Sequence, residues 1–522
     1  MIETPQTETP RRTQRSPWLL LPTSEFHGNT MATGVHSQTS GDWTVVSAID
    51  RVPPGLRLSP EGWTYTTGSF THAAAWYATD TDGTLRALGS DPATIAEATG
   101  AELDRSALVD DLLLGFRPDG RSPYTGILPC GASNPMVYAP TGVTPAPIEA
   151  GGIDLDSLGH RIAEAMNDGA CIELTGGVDS RLLLALGLRA GGKPTKSFTI
   201  GLESDPDVRV AREIAELLGM EHRAIRVEQD EHRLVEDTTA FVAESGYVCN
   251  AAAYGWLPTI FRTLGPWRDA QLSGVGGEIG EGFYYTGFDP VFQVLNSPRL
   301  WLRARAVVDG GRWSALFEGG FGDRLAKVAR DRPELNESKP WRLRTDDFYT
   351  HARIHGWAIP VIRASAAWYQ PITPFLSNEY LAWSRSLSAE QRHNRAAQHE
   401  LIGRTSPELA GIAYAKQLEA PAGGKLARKL GKAKRLASRV LPRPTAQPEQ
   451  WASTARSLMR SLDGADSVVD RLRTLGGVRV DRVAEVLRSD PSTAAHAIGA
   501  LLTMAHAIER HSGTHPNGLW QD

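Results

Sequence analysis

The sequence predicts an α/β fold with an open parallel sheet in its central stretch, behind a first domain that is mainly β or α+β. Three observations carry this. From about residue 155 to 227, segments of helix and strand character alternate. Before that, from Trp43 to about Tyr138, short β-like runs such as "WTVVSAI" and "THAAAWYATD" are punctuated by Gly, Pro and Asp. At 522 residues the chain is also too long for one typical core, so two or three domains are expected.

Taken in order, residues 1–16 read as a disordered leader. Residues 17–145 read as the first domain, with one helix around "RSALVDDLLLGF". The Pro- and Gly-rich stretch "APTGVTPAPIEAGGIDLD", Ala139 to Asp156, is the expected domain boundary. Then "DSLGHRIAEAMNDG" has helical spacing with Asp156 as its expected cap, "ACIEL" is a strand, Ser180 to Leu188 a helix and "KSFTIGL" a second strand. "DVRVAREIAELLGM" puts Val208, Ala211, Ile214, Ala215 and Leu218 on one helix face, and "HRAIRV" is a third strand. "DAQLSGVGGEIGEGFYY" is a fourth strand ending in a glycine-rich turn, and much of 290–420 is helical. The second domain spans 150–420, a basic amphipathic segment 421–448, and a helical C-terminal extension 449–522.

Composition excludes several classes. With 41% apolar and 22% charged residues the chain is neither fibrous nor wholly disordered. Cys130, Cys171 and Cys249 are odd in number and far apart, so neither a disulfide framework nor a zinc site is indicated and a cytoplasmic protein is expected. The opening "MIETPQTETPRRTQRSPW" lacks the apolar core of a secretory signal. Apolar runs such as "SPWLLLP" are far below the roughly 20 residues of a membrane helix. A net charge of −5 proposes no nucleic-acid partner.

The chemistry concentrates in "LTGGVDSR", from Leu174 to Arg181, between strand and helix. Two glycines admit a close ligand, and the helix start presents unpaired N–H groups, which suits phosphate; taken alone, the glycine pair also reads as a tight turn with close helix packing. A carboxylate there, Asp179, makes sense if a cation comes with the phosphate. Glu278, after the strand ending in "SGVGG", should reach the same edge of the sheet. Two carboxylates facing a triphosphate would hold Mg²⁺. "GLRAGGKP" nearly spells another phosphate loop, but Pro194 removes the hydroxyl and the N–H that such a loop needs, so it is rejected.

"LTGGVDSR" resembles the pyrophosphate loop of N-type ATP pyrophosphatases. "SFTIGLESDPDVRVAREIAELLGMEHRAI" looks like the segment after it in asparagine synthetases and β-lactam synthetases. "LSGVGGEIGEGFYY" and "QPITPFLSNEYLAWSRSL" are similar to later stretches of the same family, in the same order from about 150 to 420. The resemblance implies a PP-loop synthetase domain in which a substrate carboxylate attacks the α phosphate of ATP, pyrophosphate leaves, and an amine captures the acyl-adenylate. It implies that Leu174, Thr175, Gly176, Gly177, Asp179 and Ser180 bind ATP and its pyrophosphate, that Asp179 and Glu278 hold Mg²⁺, and that the backbone around Ile200 and Gly274 flanks adenosine. Lys416, in "GIAYAKQLEAP", matches the late lysine that the family places on the α phosphate.

The departures are informative. Val275 stands where asparagine synthetases carry Glu and β-lactam synthetases Tyr, so the group that handles the amine proton is unassigned, with Glu281, Tyr284 and Tyr285 as candidates. Arg181 replaces a small residue and either touches phosphate or packs outward. His222 matches a family histidine but starts a strand, which favours a structural role. "RSALVDDLLLGFRPDGRSPYTGILPCGASNPMVY" looks like the end of the family's Ntn-hydrolase-like glutaminase domain, yet Ile2 stands where its nucleophilic cysteine would be. A degenerate glutaminase scaffold without glutaminase activity is expected, as in β-lactam synthetases and lasso-peptide cyclases.

In 425–443, Lys425, Arg428, Lys429, Lys432, Lys434, Arg435, Arg439 and Arg443 stand without one acid. A solvated helix or lid, an acidic protein or peptide partner, and nucleic acid are the readings, in that order. The expected activity is a biosynthetic amide ligase for a small-molecule or peptide acid and an amine. A lasso-peptide-type cyclase, a tRNA-modifying PP-loop enzyme and a non-catalytic nucleotide-binding scaffold are the alternatives.

Overall fold

A computed structural model describes residues 18–22, 36–40, 43–47, 56–59, 62–67, 75–131, 136–145, 153–228, 230–285, 288–306, 311–415, 449–461 and 465–512. The expected leader at 1–16, Lys416 and the basic segment at 421–448 lie outside them.

Two antiparallel sheets come first. One runs β2(His36–Ser40)–β3(Trp43–Ser47)–β1(Trp18–Pro22)–β7(Leu85–Gly89)–β6(Trp76–Thr79)–β8(Ile127–Pro129). The other runs β10(Gly142–Pro145)–β9(Met136–Ala139)–β5(Gly62–Thr67)–β4(Leu56–Ser59). In β5, Trp63 and Tyr65 are buried while Thr64 and Thr66 are exposed, the two-residue period of a half-buried strand. They share one core with Tyr138 of β9 and with Leu20, Leu85 and Leu88 of the six-stranded sheet, so the two sheets face each other. The opposite face of the larger sheet, through Leu19, Trp76, Ala78 and Ala87, packs on helices.

Those helices are α1(Pro92–Thr99) and α2(Arg105–Leu114) together with the end of the chain. The helix expected at "RSALVDDLLLGF" is α2. The pattern missed α1, although Asp91 before Pro92 is a start signal: its carboxylate accepts the N–H groups of Ala93 and Thr94. The 21-residue helix Pro491–His511 is not an appendage. The backbone carbonyl of Ala507 accepts the Tyr124 hydroxyl at 3.1 Å, His496 meets the Asp111 carbonyl at 2.8 Å, and Thr503 Oγ1 bridges Cys249 and Ala251. It joins the first domain to the second through one core. Asp110, fully buried, is shared by Arg121 at 2.8 Å and Arg324 at 2.5 Å across the same junction.

The second domain is built on a five-stranded sheet, wholly parallel, in the order β13(Glu221–Ile225)–β12(Lys196–Ile200)–β11(Cys171–Glu173)–β14(Ala270–Leu272)–β15(Gln370–Ile372). The strand β15 was not anticipated. α3(Leu155–Asn167) leads in, and its cap is Asp154, which accepts the Ser157 N–H at 2.9 Å; Asp156 sits inside the first turn instead. α4(Val178–Arg189) is buried on nearly all sides, which explains its run of leucines without an exposed stripe. Gly187 lies against Met166, where a Cβ would come within 2.6 Å, so α3 and α4 are in close contact. "GLRAGGKP" is the packed end of α4, with the Gly192 N–H on the Gly187 carbonyl. α5(Pro206–Leu218) buries Val208, Ala211, Ile214 and Ala215 as its spacing requires.

Chain order reverses between β11 and β14, which are adjacent in the sheet. Crevices for ligands form at such a point, beyond the carboxyl ends of the strands. No helix among the described residues is long and apolar enough to cross a membrane.

Candidate functional site

At that crevice the structure has a cleft of about 330 Å³. One wall is the turn after β11, with Glu173, Thr175, Asp179 and Ser180, and the turn after β14, with Ser273, Gly274, Val275 and Glu278. Glu281, Phe283, Tyr349, Arg353, Trp357 and Arg395 complete it.

The first turn is held by its own side chains. Thr175 N–H donates to Ser180 Oγ at 3.2 Å, Ser180 Oγ donates to the Thr175 carbonyl, and Gly177 N–H donates to Thr175 Oγ1. Gly176 N–H is taken by Asp207 of α5 at 2.9 Å. Gly177 caps α4 without a side-chain hydrogen bond, so the first-turn amides of that helix have no side chain competing for them. A Cβ on Gly176 would lie 2.6 Å from the Ala415 Cβ, and Ala415 N–H donates to the Gly176 carbonyl at 3.1 Å. The residue before Lys416 is thereby fixed on the turn. Leu174 is fully buried, and its carbonyl accepts Thr199 Oγ1.

Asp179 projects from the first turn of α4. Its carboxylate accepts Arg395 Nη1 at 2.8 Å, and Arg395 Nε pairs with Glu281. Gly277 lies against it, where a Cβ would come within 2.4 Å of Asp179 Oδ1. Glu278 is positioned by two donors, Tyr349 Oη at 3.0 Å and Gly276 N–H at 3.1 Å. Burial, then the nearby Asp179 charge, pushes its carboxyl well above the usual range. Asp179 and Glu278 line the same cleft. A pair of carboxylates facing a phosphate site is a donor set that Mg²⁺ accepts, with phosphate oxygens and water completing six positions. Among the described residues no group of three or more His, Cys, Asp or Glu is arranged to hold a metal alone.

Of the other anticipated residues, Gly274 lines the cleft, and its missing Cβ leaves room for Asp179 and Ser180. Ile200 ends β12 at the same sheet edge, paired with Ile225, and is outside the cleft lining. His222 reaches Ser197 Oγ at 3.0 Å through Nδ1, within the sheet, and burial lowers its pKa. Arg181 neither lines the cleft nor packs outward. It is buried, donates to the carbonyls of Leu409, Ile412 and Ala413 at 2.6–3.2 Å, and stacks on Tyr414 at 3.9 Å. It thus ties α4 to the segment that ends at Ala415.

Val275 lines the cleft and packs on the core. Of the candidates for its missing function, Glu281 is in the cleft, Tyr284 is packed among Phe283, Trp301 and Tyr349, and Tyr285 donates to buried Asp346 at 2.5 Å. Four cleft residues had no motif to mark them. Tyr349, Arg353 and Trp357 stand four apart in the π-helical stretch Tyr349–Ala358, a geometry that recurs at functional sites. Arg395 follows Asn394, and both adopt left-handed backbone, with φ of 61° and 55°. This kink precedes the helix Ala396–Thr405, whose Gln398 donates to the Gly277 carbonyl at 2.8 Å.

Residues 165–258 match the family model of asparagine synthase, which covers β11, the Thr175–Ser180 turn, α4, β12, α5 and β13. No curated protein matches at a significant level. The family match supports an asparagine synthetase-like segment and points to the class of ATP-dependent amide ligases.

Proposed function

We propose that this chain, built on an asparagine synthetase-like segment, is an AMP-forming carbon–nitrogen ligase that activates a carboxylic acid with ATP and passes the acyl group to an amine. The observation that carries the reading is the convergence of Asp179 and Glu278 beside the uncapped start of α4, in one cleft at the strand-order reversal. That position supports a PP-loop role for the Thr175–Ser180 turn.

The chain's own contributions are alignment and charge neutralisation, which adenylyl transfer chiefly needs. Thr175, Gly176, Gly177 and Ser180 would hold the β and γ phosphates at the start of α4, and Asp179 and Glu278 would hold Mg²⁺, which neutralises phosphate charge when bound. Ile200 and Gly274 would flank adenosine at the sheet edge. Arg395 is the cation already on Asp179, and a guanidinium there can turn to an anionic group when the carboxylate takes another partner. Lys416, one residue beyond the Ala415–Gly176 contact, would meet the α phosphate. Val275 cannot take a proton; Glu281, in the cleft and salt-bridged to Arg395, is the side chain we assign to the amine.

The first domain would serve as a degenerate Ntn-like scaffold, and the amine would come free or on a substrate. Three free, buried cysteines fit a cytoplasmic enzyme. The basic segment at 425–443 would meet an acidic protein or peptide.

Nucleotide product analysis tests the reading. Incubation with ATP, Mg²⁺ and a panel of acids with hydroxylamine as amine should yield AMP and the hydroxamate. ADP and phosphate in place of AMP would refute it.

A further inference from the structure

The far wall of the cleft holds a cation with no counter-charge among the described residues. Arg353 has no carboxylate partner among the described residues, and its Nε is buried without a hydrogen-bond partner. Its guanidinium lies 5.3 Å from the ring centre of Phe116, 5.3 Å from that of Phe283 and 5.6 Å from that of Trp357, and it is hydrogen-bonded to the neutral Tyr284 phenol, which brings no counter-charge. The other guanidiniums around the cleft are answered: Arg395 by Asp179 and Glu281, Arg392 by Asp346, Arg181 by three carbonyls. The acids of the cleft are engaged as well, with Glu173 accepting from Gln271 and Ser273, and Glu278 from Tyr349.

Aromatic faces return only part of the cost of desolvating a cation, so an anion completes this arrangement. The surroundings select its kind. Phe283 is 42% exposed and Trp357 part-exposed, two flat apolar faces that a strongly hydrated triphosphate has no use for. The guanidinium fork, by contrast, takes a planar carboxylate through two parallel hydrogen bonds. We infer that Arg353, Phe283 and Trp357 form a subsite for the acid substrate, which carries a planar apolar body and a carboxylate other than the one activated. This rests on the ligase reading for its place in the reaction, though the subsite itself is a binding property.

Calorimetric titration of the full-length protein with phenylsuccinate, phenylacetamide and succinate tests it. Phenylsuccinate, with both ring and carboxylate, should bind about tenfold tighter than either of the others. Arg353→Gln should bring phenylsuccinate down to the level of phenylacetamide and leave phenylacetamide unchanged. Arg353→Lys, which keeps the charge and loses the fork, should fall between. Equal affinities for the three compounds, no binding of phenylsuccinate, or a preference that survives Arg353→Gln would overturn the subsite. Arg353-dependent binding without AMP formation from any acid would uphold the subsite and refute the ligase reading. AMP formation from acids that is indifferent to Arg353→Gln would do the reverse.

Discussion

The near and far walls of the cleft are made in different ways. On the near wall, the Thr175–Ser180 and Ser273–Glu278 turns follow directly from β11 and β14, so strand pairing sets their positions and glycines let them approach. On the far wall, Phe283 comes from the loop just after the second of these turns, and Tyr349, Arg353 and Trp357 from a π-helical stretch about 70 to 80 residues beyond it. The near wall is locked by hydrogen bonds inside its own turn. The far wall is an assembly of side chains on aromatic neighbours. On the proposed reading, reaction chemistry common to many substrates would lie on the first, and the choice of substrate on the second.

If the near wall depends on rigid fastening, loosening the fastening should be costly. Arg181→Met strips the carbonyls of Leu409, Ile412 and Ala413 of their donor, the first two of them buried, and should destabilise the protein by about 3 kcal/mol, read from urea unfolding. AMP formation should fall beyond the loss of folded protein, because the chain ending at Ala415 is freed from the turn. Stability unchanged by this variant would remove the fastening from the account.

A finer probe moves one carboxylate without unfolding anything. Gly277→Ala places a Cβ on Asp179 Oδ1 and should lower the rate of AMP formation on the order of 100-fold, the cost of a misplaced catalytic group, with little change in melting temperature. A full rate would mean that the position of Asp179 is not critical.

The smallest effect belongs to the far wall and appears only in acid. Burial pushes His355, on the π-helical stretch, from its ordinary 6.5 down to about 3. The unfolded chain therefore binds a proton between those values that the folded chain refuses, so stability is complete above about pH 6.5 and is lost as pH falls toward 3. His355→Gln should flatten the decline of the urea midpoint between pH 7 and pH 5. An equally steep decline would assign the acid sensitivity to other groups.

The near wall was legible in the sequence because short strands, paired glycines and an acid occupy a few adjacent residues. Asp179 and Glu278 could be matched from strand order alone. Arg395 could not, since it reaches Asp179 by a left-handed kink at Asn394–Arg395 that no residue pattern announces. Tyr349 is equally silent, because its role is a contact with Glu278 made 71 residues away. Arg181 misled: next to a phosphate turn it suggests a ligand, but the leucines around it draw the whole helix inward and its fork is spent on carbonyls. The C-terminal helix read correctly as a helix, while its place in a core shared by both domains depends on Gly499 and Thr503 meeting Asn250 and Cys249, far off in sequence.

We assign the two carboxylates of the near wall, Asp179 and Glu278, to adenylation. Exchange of labelled pyrophosphate into ATP, dependent on an acid substrate and Mg²⁺, measures that half-reaction without requiring the amine. The wild-type protein should support exchange with at least one acid, and Asp179→Ala should lose it. Full exchange in Asp179→Ala would contradict the account.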